Sequence, residues 1–434
     1  MMRRTMICLV AVALLGASAE ALATDTRLQS MGGGHKYYTV LDEAGVLLFP
    51  STLVLYPNTV YVEGGFGWPA DDELGNPEAG VRGNTTATNL PYNAAGGIHL
   101  GFGENAVLGV YASSLSRNVS PGALGWALGN WNEVVAAETA LAADEIGGDT
   151  SIRNADHKGT ILYAHRIGKA RLGALVSVWG DSYKVLAPET MKVERGGLWF
   201  EGRLGAGFDF GARNSADLAL GFHYGSFQDD LVPNPSTTAL STRLKGDASW
   251  GLALDARTMI EAFGNFVVPY LALNFGGDGV AWNNQEPDAP SVSGSNVSLA
   301  AGVDLVITPL ENFHIVPGIG LGYGSSVMKG GETVRNDSDL VIPYYGVGLD
   351  ARVVKWFALR FGISQAVVFS KREGVVTDER SHDVVTRLRT GFGLEFGSVA
   401  MDFLLDPTFW TGGPSALFDS GDNLAAQFAL KATW

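Results

Sequence analysis

Alternation of apolar and polar residues with a period of two runs through most of the chain. Such a dyad predicts β-strands, because successive strand side chains point to opposite faces. In 198–210, Leu198, Phe200, Leu204, Ala206, Phe208 and Phe210 share one face. Trp199, Glu201, Arg203, Gly205, Gly207 and Asp209 share the other. After a turn at Arg213-Asn214, Leu218, Leu220, Phe222 and Tyr224 oppose Asp217, Gly221, His223 and Gly225. Further strands set Trp250 and Leu252 against Asp255 and Arg257, Phe357 and Phe361 against Arg360, and Leu388 and Phe392 against Arg387 and Arg389. The chain ends on the same pattern, with Phe428, Leu430 and Trp434 in register on an apolar face. Phe428 and the terminal Trp434 are the expected signal for barrel-assembly machinery.

Two architectures fit strands of this kind. A soluble sandwich turns its apolar faces inward, whereas a membrane barrel turns them to lipid and lines its interior with the polar ones. Strands of 12 to 15 residues exceed the usual five or six and suit a tilted bilayer crossing. The links alternate. Short ones fall at 104–105, 168–170, 211–214, 261–263, 309–312, 355 and 397–398; long polar ones at 68–94, 115–157, 181–195, 228–242, 277–295, 326–338, 371–382 and 406–422. That is the rhythm of periplasmic turns and extracellular loops. It predicts an all-β, antiparallel transmembrane barrel of sixteen strands, or of fourteen if the short stretches 60–67 and 399–405 do not count. One helix is expected, over Asn132 to Ile146 in the longest loop. No stretch predicts a spanning helix: 44–62 is uncharged but broken by Pro50 and Pro57.

The first residues read as a secretory signal, with Arg3 and Arg4, an apolar run from Met6 to Leu15, and Ala21-Leu22-Ala23 before a cleavage point. Cys8, the single cysteine, lies within it, so no disulfide or thiolate metal site is expected beyond residue 23. Three parts follow: a signal at 1–23, an irregular docking segment at 24–59 and the barrel at 60–434. Without Arg3, Arg4 and Glu20 the chain keeps 28 basic and 44 acidic residues, which argues against nucleic acid as a partner. Fifty-seven glycines set among aromatics in strands suit a curved, twisted sheet.

No catalytic constellation emerges. The seven histidines lack metal-ligand spacing, and no Gly-x-Ser-x-Gly elbow is present; no cofactor or metal is expected. His223 and His314 are the inward strand histidines to check for a neighbouring serine. Gly318-Ile319-Gly320-Leu321-Gly322 reads as a strand interior. The informative set is the inward charge. Glu201, Arg203, Arg243, Lys245, Asp247, Asp255, Arg257, Asp350, Arg352, Arg360, Arg387 and Arg389 mix both signs on neighbouring strands. Facing lipid they would each cost a few kcal/mol at mid-bilayer, so they are expected to line the lumen, as ion pairs or as a charged conduit.

In its N-terminal part, mainly 28–65, the chain resembles the FadL-type outer-membrane transporters of hydrophobic compounds and the PorV/PorQ-type barrels. The residues that carry this are Met31-Gly32-Gly33-Gly34, Asp42, Phe49-Pro50-Ser51 (where the family usually has Asn-Pro-Ala) and Tyr56-Pro57-Asn58. The resemblance implies a fourteen-stranded barrel with the N-terminal segment folded into its lumen as a plug. Val46, Leu47, Leu48, Phe49, Leu53 and Leu55 then form an apolar cluster on the plug. The expected function is passive transport of a small hydrophobic or amphipathic solute across a bacterial outer membrane, in contact with its lipid and lipopolysaccharide. The alternatives are a general porin for polar solutes and a structural barrel that passes nothing.

Overall fold

The computed structural model describes residues 25–31, 36–40, 43–65, 93–114, 157–187, 191–233, 242–282, 291–330, 333–373, 379–405 and 425–434. Sixteen antiparallel strands close into one barrel, each paired with its neighbours in sequence. They are β1 (Thr59–Gly65), β2 (Asn93–Phe102), β3 (Ala106–Ser114), β4 (His157–Ile167), β5 (Ala170–Ala187), β6 (Met191–Asp209), β7 (Ser215–Pro233) and β8 (Thr242–Ala262). The second half comprises β9 (Asn265–Trp282), β10 (Ser291–Leu310), β11 (Phe313–Gly330), β12 (Thr333–Val354), β13 (Phe357–Glu373), β14 (Glu379–Phe396), β15 (Val399–Leu405) and β16 (Ala425–Thr433). The ring closes through β1 and β16, from Thr59 opposite Thr433 to Gly65 opposite Gln427. Sixteen strands is the number the dyad pattern predicts, not the fourteen that the family resemblance implies. Among the described residues no helix is long and apolar enough to span a membrane.

The apolar face of the dyad is the outer one. Leu204 is 66% exposed, Leu220 55% and Ile161 58%, while Arg203, Ala219 and Leu162 beside them are buried. A continuous outward surface of Phe, Leu, Ile and Val is untenable in water and is what hydrocarbon requires. At the short-turn end it finishes in exposed aromatics: Phe102, Phe210, Phe263, Trp356, Phe396 and Trp434. Trp356 and Phe396 stack there at 6.4 Å. Phe428 also faces outward; its ring lies over Gly64 of β1, where an added Cβ would meet it at 2.7 Å.

Five of the expected long loops are entered by strand from both sides, four of them over most of their length. The stretches 181–195, 277–295, 326–338 and 371–382 belong largely to β5–β14, as does 228–233 of the stretch 228–242; these strands run to 22 residues in β12. Their polarity reads as loop, but above the apolar belt a strand stands in water on both sides and keeps its ladder. Charge there pairs across strands, as where Arg372 sits between Asp337 and Glu379 in the register. The helix expected at 132–146 and the signal at 1–23 lie outside the described residues.

The segment before β1 forms two short helices, α1 (Asp25–Ser30) and α2 (Lys36–Thr39), and two 3-10 turns, Glu43–Leu47 and Pro50–Leu55. It touches inward-facing residues of β1, β5, β6, β8, β10, β12 and β14, so it sits inside the ring, in the half nearest the short turns. An arginine at the belt's mid-height tests which face meets lipid. Leu220→Arg should lower unfolding stability in bilayers by about 2–4 kcal/mol, and Phe210→Arg near the turns by about 0–1 kcal/mol, read from urea midpoints. Equal, small effects at both positions would mean that the belt does not meet hydrocarbon.

Candidate functional site: the occupied lumen

Charge inside the barrel is organised in ladders that join adjacent strands and also reach over one strand to the next. On one wall Arg171 binds Asp217 at 3.1 Å and Asp209 at 3.1 Å, and Arg257 reaches the other oxygen of Asp217 at 3.0 Å. One layer further from the turns, Arg203 binds Asp255 at 2.7 Å, and Lys158 binds Glu201 at 2.8 Å. On the opposite wall Arg360 bridges Asp402 at 2.5 Å and Asp350 at 3.5 Å. Arg171, Arg257, Arg360, Asp217 and Asp402 are all buried. Removing one partner of such a pair strands the other charge, at about 3–5 kcal/mol. These pairs are therefore obligatory once the dyad has placed the charges inside.

The N-terminal segment completes the ladders. Arg27 of α1 binds Asp350 at 2.5 Å. The Tyr38 hydroxyl donates to Asp255 at 2.5 Å, and Arg257 donates to the Tyr38 carbonyl at 3.0 Å. Burial first, then the Asp255 carboxylate, pushes the Tyr38 phenol well above its ordinary value, so it stays a donor. Thr39 gives its hydroxyl to Asp304, Arg203 donates to the Leu48 carbonyl at 3.2 Å, and the backbone N–H of Thr26 donates to Glu63 at 3.2 Å.

Apolar contacts fill the space between. The expected single cluster on the segment is two. Leu48 and Phe49 pack with Leu28, Met31 and Tyr38 against Tyr270, Ala272 and Ala300 of the wall. Tyr38 stacks on Tyr270 at 5.0 Å, and the Arg257 guanidinium lies 4.5 Å above the Phe49 ring. Val46 and Leu53, with Leu47 and Leu55 partly buried, pack against Tyr61, Tyr111, Leu162 and Leu175. Pro50 and Ser51 rest on the backbone of β5 and β6: a Cβ on Gly173 would come within 2.3 Å of Pro50, and one on Gly205 within 2.8 Å of Ser51.

The remaining expected residues fall as follows. Arg352 faces the short-turn mouth and binds Glu395 at 2.6 Å. Arg387 and Arg389 are half-buried on the inward face of β14. The strand that carries Arg243, Lys245 and Asp247 is described, but their side chains lie outside the described part. His314 meets Thr308 at 3.1 Å rather than a serine. A third inward histidine, His99, is buried and bonds the Tyr56 carbonyl at 2.8 Å and the Tyr111 hydroxyl. Arg171, Lys158, Asp402, Glu63 and His99 of the wall are among the residues the pattern does not single out, as are Arg27, Tyr38 and Thr39 of the segment. Asp402 and Glu63 had a signal: each is the lone charge in a seven-residue strand, and such a charge must face inward. Among the described residues no group of three His, Cys, Asp or Glu gathers as for a metal.

No family model and no curated protein matches the chain. Solved structures similar to it include the toluene transporter TodX of Pseudomonas putida, 9% identical, covering 96% of this chain and 97% of that one at a TM-score of 0.38. The toluene transporter TbuX of Ralstonia pickettii is 9% identical over 95% and 98%, with a TM-score of 0.37. The alcaligin outer-membrane receptor FauA of Bordetella pertussis is 7% identical over 87% and 76%, with a TM-score of 0.40. At such values nothing about substrate follows, and the sixteen-strand barrel rests on its own pairing.

Proposed function

We propose that this barrel sits in a bacterial outer membrane and passes small hydrophobic or amphipathic solutes passively, with residues 24–59 as its plug. The observation that carries the reading is the surface beneath the segment. Tyr61, Val107, Tyr111, Leu162, Leu175, Tyr270 and Val316 point inward and are buried, several directly under Val46, Leu53 and Tyr38. A wall built for water would be polar there. This one offers a greasy solute about 25 cal/mol per Å² of apolar surface removed from water, so solute and plug compete for the same lining. Residues 1–23 serve export in this reading, Phe428 and Trp434 serve recognition by the assembly machinery, and the outward belt meets lipid and lipopolysaccharide.

A general porin is disfavoured by Arg257, which is buried in its pair with Asp217 beneath Phe49 instead of ringing an open path. A structural barrel without passage is the second reading, favoured by the ion-pair ladders that occupy the inner wall. Uptake of a labelled fatty acid or aromatic hydrocarbon by vesicles carrying the protein separates them. The transporter reading expects uptake well above that of empty vesicles. Absence of uptake with steady ion conductance favours the porin, and absence of both favours the structural barrel.

The plug itself is tested in planar bilayers. Deletion of 24–59 should raise conductance severalfold, and equal conductance would place the segment outside the permeation path. Gly173→Val, whose side chain collides with Pro50, should move conductance towards that of the deletion. Gly202→Val is the control: it faces outward, and the nearest atom to an added Cβ there is 3.8 Å away.

A further inference from the structure

Just beyond the plug, on the side away from the short turns, the inner wall changes character. Arg203 is buried beneath Leu48. Two residues along the same face of β6, Glu201 is partly open, and the next inward residue, Trp199, is half-buried. His223, directly across from Glu201 on β7, is exposed although it points into the barrel. The lumen is therefore accessible from Glu201 upward and floored by the plug.

The rings in this layer lie flat against the wall. A Cβ on Gly225 would fall 1.9 Å from the Trp199 indole, and one on Gly197 at 2.2 Å; a Cβ on Gly251 would fall 2.0 Å from the His223 ring. Glycine at these three positions lets both rings settle onto the neighbouring backbone, so each presents a face rather than an edge to the lumen. Beside them Lys158 pairs with Glu201, and the hydroxyls of Thr160 and Ser177 bond each other at 2.8 Å.

We propose that Trp199, His223, Glu201 and Lys158 form a binding subsite, above the plug, for a small neutral aromatic bearing a hydroxyl, that is, a phenol. The inference rests on the transport reading and names a class of solute for it. The indole supplies an apolar, planar face for offset stacking. The polar neighbours supply both a hydrogen-bond acceptor, the Glu201 carboxylate, and donors, the Lys158 ammonium and the imidazole. Among the described residues beside Trp199 and His223, formal charge cancels, Lys158 with Glu201 and Arg203 with Asp255. An ionised carboxylate on the solute finds no net opposite charge to repay its desolvation. A bare hydrocarbon leaves the polar side of the subsite unmatched. Phenol satisfies both halves.

The test is equilibrium dialysis of radiolabelled phenol, benzoate and toluene against the full chain in detergent, with the detergent alone subtracted. Heat-modified gel mobility confirms that each variant is folded. Saturable phenol binding is expected, at least tenfold tighter than that of benzoate or toluene. Trp199→Leu and His223→Ala should each weaken it by tenfold or more, and Trp199→Phe should restore most of it. Phenol binding that is unchanged in both variants, or no tighter than toluene binding, overturns the subsite. Vesicle uptake keeps the two ideas apart. Hydrocarbon uptake at the wild-type rate with no saturable phenol binding sinks the subsite and leaves the transport reading standing. Saturable binding lost in the variants, with no uptake of any solute, sustains the subsite and sinks transport.

Discussion

The structure depends on one constraint: a closed sheet has two faces, and the outer one is given over to hydrocarbon. Every charge that the strands carry at belt height must then point inward, where it is expensive unless matched. The ladders meet that requirement. Some join neighbouring strands, as Arg257 joins Asp217, and others reach over the intervening strand, as Arg171 of β5 reaches Asp217 of β7. The N-terminal segment is drawn into the same solution, since Tyr38 and Arg27 satisfy carboxylates that the wall pairs alone would leave underbonded. Segment and wall are one polar network with greasy filling between its rungs.

Glycine does the complementary steric work. Where a large inward side chain crosses to the next strand, the residue beneath it has no Cβ. Trp199 crosses Gly225, and Arg360 crosses Gly393, where an added Cβ would be 2.5 Å from the guanidinium. Part of the high glycine content thus belongs to packing within the wall, where it lets bulky groups lie down instead of filling the lumen.

Much of this was legible in the sequence. Leu198 to Phe210 gave the face assignment outright, because its two sides differ so sharply in polarity. The seven-residue β15 was readable from a short apolar run bounded by a glycine turn and a polar stretch. What misled was polarity above the belt. In 333–338 and 379–382 charged residues suggest a loop, yet both stretches are paired strand, because water tolerates polar groups on either face without breaking the ladder. Inward charge was also underread wherever the inward face is itself partly apolar. Arg171 alternates with Gly173 and Leu175, so its side of β5 does not stand out from the lipid side. The partners of the N-terminal segment were not readable at all: that Tyr38 meets Asp255 depends on how a segment without periodicity folds across the lumen.

The unequal lengths of the strands bear on how the barrel comes to exist. Strands β5–β14 are 17–22 residues long and joined to their neighbours through short links. Their hairpins can form soon after each pair is made, at low cost in loop entropy. The seam between β1 and β16 is the opposite case: β1 has seven residues, and its partner lies at the far end of the chain. It gains no more pairing than the other short junctions of β1 and β15 and has the longest loop to close, so it is the last junction to zip and the first to part. Until then β1 waits with an unpaired edge, tethered to a segment whose own docking sites, on β5 through β14, come later in sequence. The segment that precedes the first strand is thus among the last parts of the barrel to find its place.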